Sequence, residues 1–139
     1  MIDSPALDMS FSGLKTAVLT AVRRHSRVCD QDKADIAREF VDAVVEVLTA
    51  KALQALARTG QRRLVVAGGV GANVQLRAAL DEAVGARGGS VFYPPAALCT
   101  DNGAMIAFAG YVRLSRLGTR AAGAQAVRAR PRWDLCAPQ

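Results

Sequence analysis

The tightest constraint in this sequence is a short run of branched apolar residues, Leu64-Val65-Val66-Ala67, that stops on Gly68 and Gly69. Such a run is too brief for a buried helix and suits a strand covered on both faces. From Asn73 to about Val84 the spacing turns helical, with Leu76, Ala79, Leu80 and Ala83 recurring on one side. Gly85, Gly88 and Gly89 close that helix, and Ser90 to Tyr93 reads as a second short strand, stopped by Pro94 and Pro95. A further helix is expected from about Asn102 to Leu117, ended by Gly118. Strand, helix, strand, helix implies parallel pairing through a right-handed crossover, hence an α/β architecture.

Upstream of this unit, Leu7 to Phe11 alternates weakly and predicts a short strand, with Ser12 as N-cap of a helix reaching about His25. After a polar break from Arg27 to Gln31, Asp32 is the expected cap of a long amphipathic helix ending near Arg58. Ile36, Phe40, Val44, Val47 and Leu48 share one face, and Arg38, Asp42 and Glu46 share the other. Gly60 stands where a left-handed C-terminal residue belongs. A chain of 139 residues has room for one compact domain, expected over residues 1–118. Residues 119–139 read as a basic tail, in which Arg120, Arg128, Arg130 and Arg132 follow no apolar period and Trp133 is the large anchor.

Several function classes fall away on composition. No stretch has the apolar length of a membrane span, and Met1 to Asp8 lacks the basic end and apolar run of a secretory signal, so a cytoplasmic location is expected. Cys29, Cys99 and Cys136 are scattered and form no CxxC pair, which argues for isolated thiols rather than a disulfide framework. A net charge of +6 would assist approach to a polyanion such as RNA. Equally, Arg23, Arg24 and Arg27 stand near a helix C-terminus, where the helix dipole alone favours cations.

Three segments could carry chemistry. In Gly68-Gly69-Val70-Gly71-Ala72-Asn73, glycines between a strand and a helix let backbone approach a ligand, and the helix start offers unpaired N–H groups. Asn73 adds donors and an acceptor able to read a ribose or an amide. The same residues could equally turn the chain and cap the helix. In Cys99-Thr100-Asp101-Asn102-Gly103, a carboxylate stands just before a helix, where it would stay ionised as a metal ligand must, or simply act as an N-cap. Lys15, in Ser12-Gly13-Leu14-Lys15-Thr16, could touch a phosphate or be a solvated first-turn residue. His25 is the lone histidine, and with no HxxH, HxxxH or HExxH pattern the chain cannot by itself assemble a transition-metal centre or a zinc peptidase site.

Taken in order, Leu7-Asp8-Met9-Ser10-Phe11-Ser12-Gly13-Leu14-Lys15-Thr16, Asp35-Ile36-Ala37-Arg38-Glu39-Phe40, Val65 to Asn73, Phe92-Tyr93-Pro94-Pro95, Cys99-Thr100-Asp101-Asn102-Gly103-Ala104-Met105-Ile106-Ala107 and Ala129-Arg130-Pro131-Arg132-Trp133 resemble the C-terminal part of the TsaD family. These are tRNA N6-adenosine threonylcarbamoyltransferases, long labelled O-sialoglycoprotein endopeptidases or glycoproteases. The resemblance implies the C-terminal lobe of an actin-like ATPase (sugar kinase) fold, incomplete relative to the family. It implies transfer of a threonylcarbamoyl group from threonylcarbamoyl-AMP to N6 of adenosine 37 in tRNAs reading ANN codons. By the same resemblance Asn73, with Gly68 and Gly69, would bind the adenylate, and Asp101 would ligate a divalent metal, iron or zinc. The family's metal-binding histidines belong to an HxxxH motif in the N-terminal half, which is absent here, so the chain is expected to be a fragment that does not catalyse the transfer alone. Expected partners are tRNA, TsaB- and TsaE-type proteins whose contacts lie mostly in the missing half, and a second copy through the surface that half would cover; no membrane partner is expected. The alternative expectation is a non-catalytic, self-associating remnant.

Overall fold

A computed structural model describes residue 2, residues 4–24 and residues 28–117. The elements are α1 (Ser12–Arg24), α2 (Asp30–Thr59), β1 (Arg63–Val65), a 3-10 turn (Gly69–Ala72), α3 (Val74–Gly85), β2 (Ser90–Phe92), a second 3-10 turn (Ala96–Leu98) and α4 (Gly103–Leu117). They fall into two compact units, the first running to Asp101 and the second starting at Asn102. His25, Cys136, Trp133 and the expected tail at 119–139 lie outside the described residues.

Helix α2 starts earlier than its acidic residues suggest. Cys29 is the N-cap: its Sγ accepts from the Asp32 N–H at 3.4 Å, and its own N–H donates to Asp32 Oδ2 at 2.9 Å. Asp32 is therefore the third helical residue of a capping box rather than the expected cap, because its carboxylate reaches back to the turn before it. Gly60 ends α2 at φ = 67°, as its position predicted. In α1, Ser12 is the first helical residue and its Oγ shares a hydrogen bond with Ser10 Oγ at 2.9 Å, so the expected side-chain cap is not made.

No strand forms at Leu7 to Phe11. The preceding backbone is held by side chains of α2 instead of by a neighbouring strand. Lys51 Nζ donates to Ser4 O at 2.7 Å and Ala6 O at 2.6 Å, Gln54 Nε2 to Ser4 O at 3.3 Å, and Arg58 Nη1 to Pro5 O at 2.9 Å. Lys51 is 2% exposed, so its ammonium has exchanged water for these carbonyls and for Gln54 Oε1 at 3.3 Å. Lys51→Met keeps the apolar stem and deletes the charge; it is expected to lower unfolding free energy by about 1–3 kcal/mol. An unchanged urea midpoint would mean that the strap adds nothing to stability.

Strands β1 and β2 pair in parallel with Arg63 opposite Ser90, Leu64 opposite Val91 and Val65 opposite Phe92. Bonds from Ser90 N to Arg62 O (2.8 Å) and from Val66 N to Phe92 O (2.9 Å) extend the ladder at both ends. Helix α3 supplies the core through Leu76, Leu80 and Val84, a single buried stripe at four-residue spacing. The β1 run, expected to be covered on both faces, is covered on one. Leu64 and Val91 are half-buried, while Val65 is 72% and Phe92 51% exposed. Among its described residues the first unit places no second layer over that face, which parallel sheets ordinarily have. In the second unit, Asn102 Oδ1 accepts from Met105 N at 2.9 Å at the start of α4. Among the described residues no helix is long and apolar enough to cross a membrane.

Candidate functional site

Because β1 and β2 run in parallel, the chain leaves both at the same end of the sheet. Outside the carboxyl ends of such strands lies the crevice where α/β folds bind ligands. The first exit is the glycine loop and the second is Tyr93 to Asp101, so the two stronger sequence candidates stand on neighbouring loops.

The first loop turns sharply at Gly68, whose φ of 91° suits glycine and strains other residues. A single 3-10 turn follows, closed by Gly71 N to Gly68 O at 2.9 Å and Asn73 N to Val70 O at 3.0 Å. Asn73 is the N-cap of α3, its Oδ1 accepting from Leu76 N at 2.9 Å. Its Nδ2 makes no hydrogen bond among the described residues. The cap uses Oδ1 alone and leaves the Nδ2 end of the same carboxamide without a partner among the described residues.

In the second loop Cys99 is buried, with Sγ 3.7 Å from Pro94 O and 3.6 Å from Pro95 O. Asp101 is exposed and forms no ion pair among the described residues. The capping role open to it is taken by Asn102. The loops approach each other closely: a Cβ on Gly69 would stand 3.9 Å from Thr100 Cγ2. Lys15 is exposed in the first turn of α1.

Sequence reasoning missed Arg77. Its Nε donates to Gly71 O at 2.6 Å in the first loop, and its Nη2 to Pro94 O at 3.1 Å and Cys99 Sγ at 3.3 Å in the second. Its guanidinium carbon lies 4.6 Å from the centre of the Tyr93 ring. The single Tyr93 O–H in turn is shared between Arg77 O (3.1 Å) and Asp81 Oδ1 (3.0 Å). The available signal was register: Arg77 stands four residues after Asn73 and four before Asp81, on one side of α3.

Burial first, then the hydrogen bond and charge of Asp81, push the Tyr93 phenol from 10.0 up to about 12, against the opposing pull of Arg77. The folded state thus favours the protonated phenol. Its contribution to stability is intact below pH 10 and is lost as pH climbs through about 12. In a Tyr111→Phe background, phenolate absorbance should report this high value, and Asp81→Asn should bring it back toward 10.0.

No group of three or more His, Cys, Asp or Glu stands together among the described residues. A protein-bound transition metal takes three or four protein ligands. The single carboxylate of Asp101 does not fit a metal centre built from the described residues alone.

A family profile described as TsaD: tRNA N6-adenosine threonylcarbamoyltransferase matches residues 2–108. Similar curated proteins carry the name tRNA N6-adenosine threonylcarbamoyltransferase. The one from Herminiimonas arsenicoxydans is 57% identical over 136 residues, covering 97% of this chain and 40% of that protein. Those from Burkholderia thailandensis and Paraburkholderia xenovorans are each 58% identical, over 141 and 137 residues, with 97% of this chain and 41% and 40% of the relative covered. The chain therefore spans about two fifths of the length of the relatives it matches.

Proposed function

We propose a function from one premise: the chain belongs to the tRNA N6-adenosine threonylcarbamoyltransferase family. It forms part of the C-terminal lobe of an actin-like ATPase fold and contributes one wall of a transferase site. The reaction moves a threonylcarbamoyl group from threonylcarbamoyl-AMP to N6 of adenosine 37 in tRNA. The N6 amine attacks the carbamoyl carbon, a C–N bond forms as the C–O bond to the phosphate breaks, AMP departs and N6 gives up a proton.

In this reading Asn73 offers Nδ2 to the adenylate while Oδ1 holds the helix, and Gly68 and Gly69 let backbone approach it. Asp101 contributes one carboxylate donor toward a divalent metal, iron or zinc, whose other donors come from beyond this chain. The net charge of +6 assists approach of tRNA, whose presence as substrate makes the cytoplasm the expected location. TsaB- and TsaE-type proteins are the proposed partners of the assembled enzyme. The observation that carries this reading is the convergence of both loops, with Asn73 and Asp101 on them, at the carboxyl end of one parallel pair.

The test is nucleoside mass spectrometry of unmodified tRNA incubated with threonylcarbamoyl-AMP. The purified chain alone is expected to leave adenosine unmodified, and addition of the N-terminal part of a family member is expected to produce threonylcarbamoyladenosine. Product formed by the chain alone would contradict the division of the site. A second reading, self-association, is favoured by exposed Val65 and Phe92 and by an apolar groove of about 410 Å³ lined by Leu7, Met9, Val65 and Val70. Light scattering that finds a stable dimer, together with no adenylate binding, would favour it.

A further inference from the structure

We propose that Arg77 is the positioning residue that sets the spacing between the two site loops. The proposal rests on the adenylate reading of those loops. A guanidinium is a rigid planar fork, and here its prongs end on different loops: Nε on Gly71 O at 2.6 Å, Nη2 on Pro94 O at 3.1 Å. Both of these acceptors are main-chain carbonyls, so these prongs fix backbone, and Nη2 also reaches the buried Cys99 Sγ at 3.3 Å in the second loop. The plane of the fork is fixed as well. It packs on Tyr93 at 4.6 Å, and the Tyr93 hydroxyl returns to the main-chain carbonyl of Arg77 itself at 3.1 Å. Arg77 and Tyr93 thus close a ring between α3 and the end of β2. Asn73 and Asp101 stand just beyond the clamped points, two residues after Gly71 and two after Cys99. The clamp acts through the loops and makes no hydrogen bond to either side chain.

Lysine would keep the charge but offers a point donor that cannot hold two divergent carbonyls and stack at once. Arg77→Lys is therefore the informative variant, with Arg77→Met as the second. The experiment is an AMP titration of the isotopically labelled full chain followed by backbone amide NMR. In the unmodified chain, amides of both Gly68–Asn73 and Thr100–Asp101 are expected to respond to AMP. In Arg77→Lys, with α2 amides unchanged as a control on folding, the glycine loop still responds, the Thr100–Asp101 response is lost and affinity falls by about tenfold or more, ~1.4 kcal/mol. Arg77→Met should behave alike. A lysine variant that keeps the paired response and the original affinity overturns the proposal. If AMP perturbs neither loop in the unmodified chain, the adenylate reading fails, and the clamp is decided by amide hydrogen exchange. Tenfold faster exchange in both loops of Arg77→Lys supports it, and unchanged exchange in either loop overturns it.

Discussion

Alanine at Gly89 is expected to destabilise the fold by about 3 kcal/mol, the upper end of overpacking effects and a large share of a small domain's stability. A Cβ at this position would lie 2.7 Å from Arg62 O and 2.7 Å from Val84 Cγ1, with Val84 O at 3.3 Å. Two of those atoms are backbone and cannot rotate aside. Gly89 N also donates to Val84 O at 3.0 Å, and the next residue opens the β ladder through Ser90 N to Arg62 O. A methyl group there must part β2 from β1 or lift the sheet off α3. Among the described residues the buried apolar set is small, Leu76, Leu80, Val84 and Cys99, so it offers little reserve to absorb the loss. Gly85 is the matched control: nothing lies within 4 Å of its would-be Cβ, and it belongs to α3. Gly85→Ala should be neutral or stabilising by up to about 1 kcal/mol. Equal urea midpoints for the two variants would refute the wedge.

Asn73→Asp separates the two ends of the carboxamide. Aspartate caps helices as well as asparagine and is favoured beside the dipole, so stability should stay within about 0.5 kcal/mol. In the proposed adenylate reading, however, the Nδ2 donor is replaced by an acceptor that carries negative charge toward an anionic ligand. AMP affinity should fall about 100-fold or more, some 2.7 kcal/mol. Asn73→Ala, which removes both functions, should lose a similar affinity and in addition about 1 kcal/mol of stability. Calorimetric titration paired with urea unfolding reads both quantities. An aspartate variant that binds AMP as the unmodified chain does would reduce Asn73 to a cap.

Much of the architecture was legible because it is local. The helix end at Gly60, the parallel strand pair and both exit loops follow from period and from glycine and proline placement, whereas the stripe expected from Ile36 to Leu48 is only half-buried and its Phe40 is exposed. The family resemblance rested on those same loops, and the match over residues 2–108 bears it out. Where the reading missed, the deciding partner was distant or unusual. A thiol is an uncommon cap, so Cys29 passed as incidental and Asp32 took its place. Weak alternation at Leu7 to Phe11 could not reveal Lys51, 45 residues beyond Ala6, gripping the backbone just before that segment. Exposure of Val65 depends on what covers the sheet, which no strand pattern encodes. Arg77 reads as one more charged helix residue until both loops are seen to end on it. Asp101 stayed ambiguous from spacing because a carboxylate just before a helix could be a ligand or the N-cap; the cap is made by Asn102.

The most direct measurement is a crystal structure of the chain with AMP bound. The adenylate should lie across the carboxyl ends of β1 and β2, with Asn73 Nδ2 within hydrogen-bonding distance of it and the Asp101 carboxylate facing the same space. AMP seated elsewhere on the molecule, or an Asn73 amide turned away from it, would contradict the assignment.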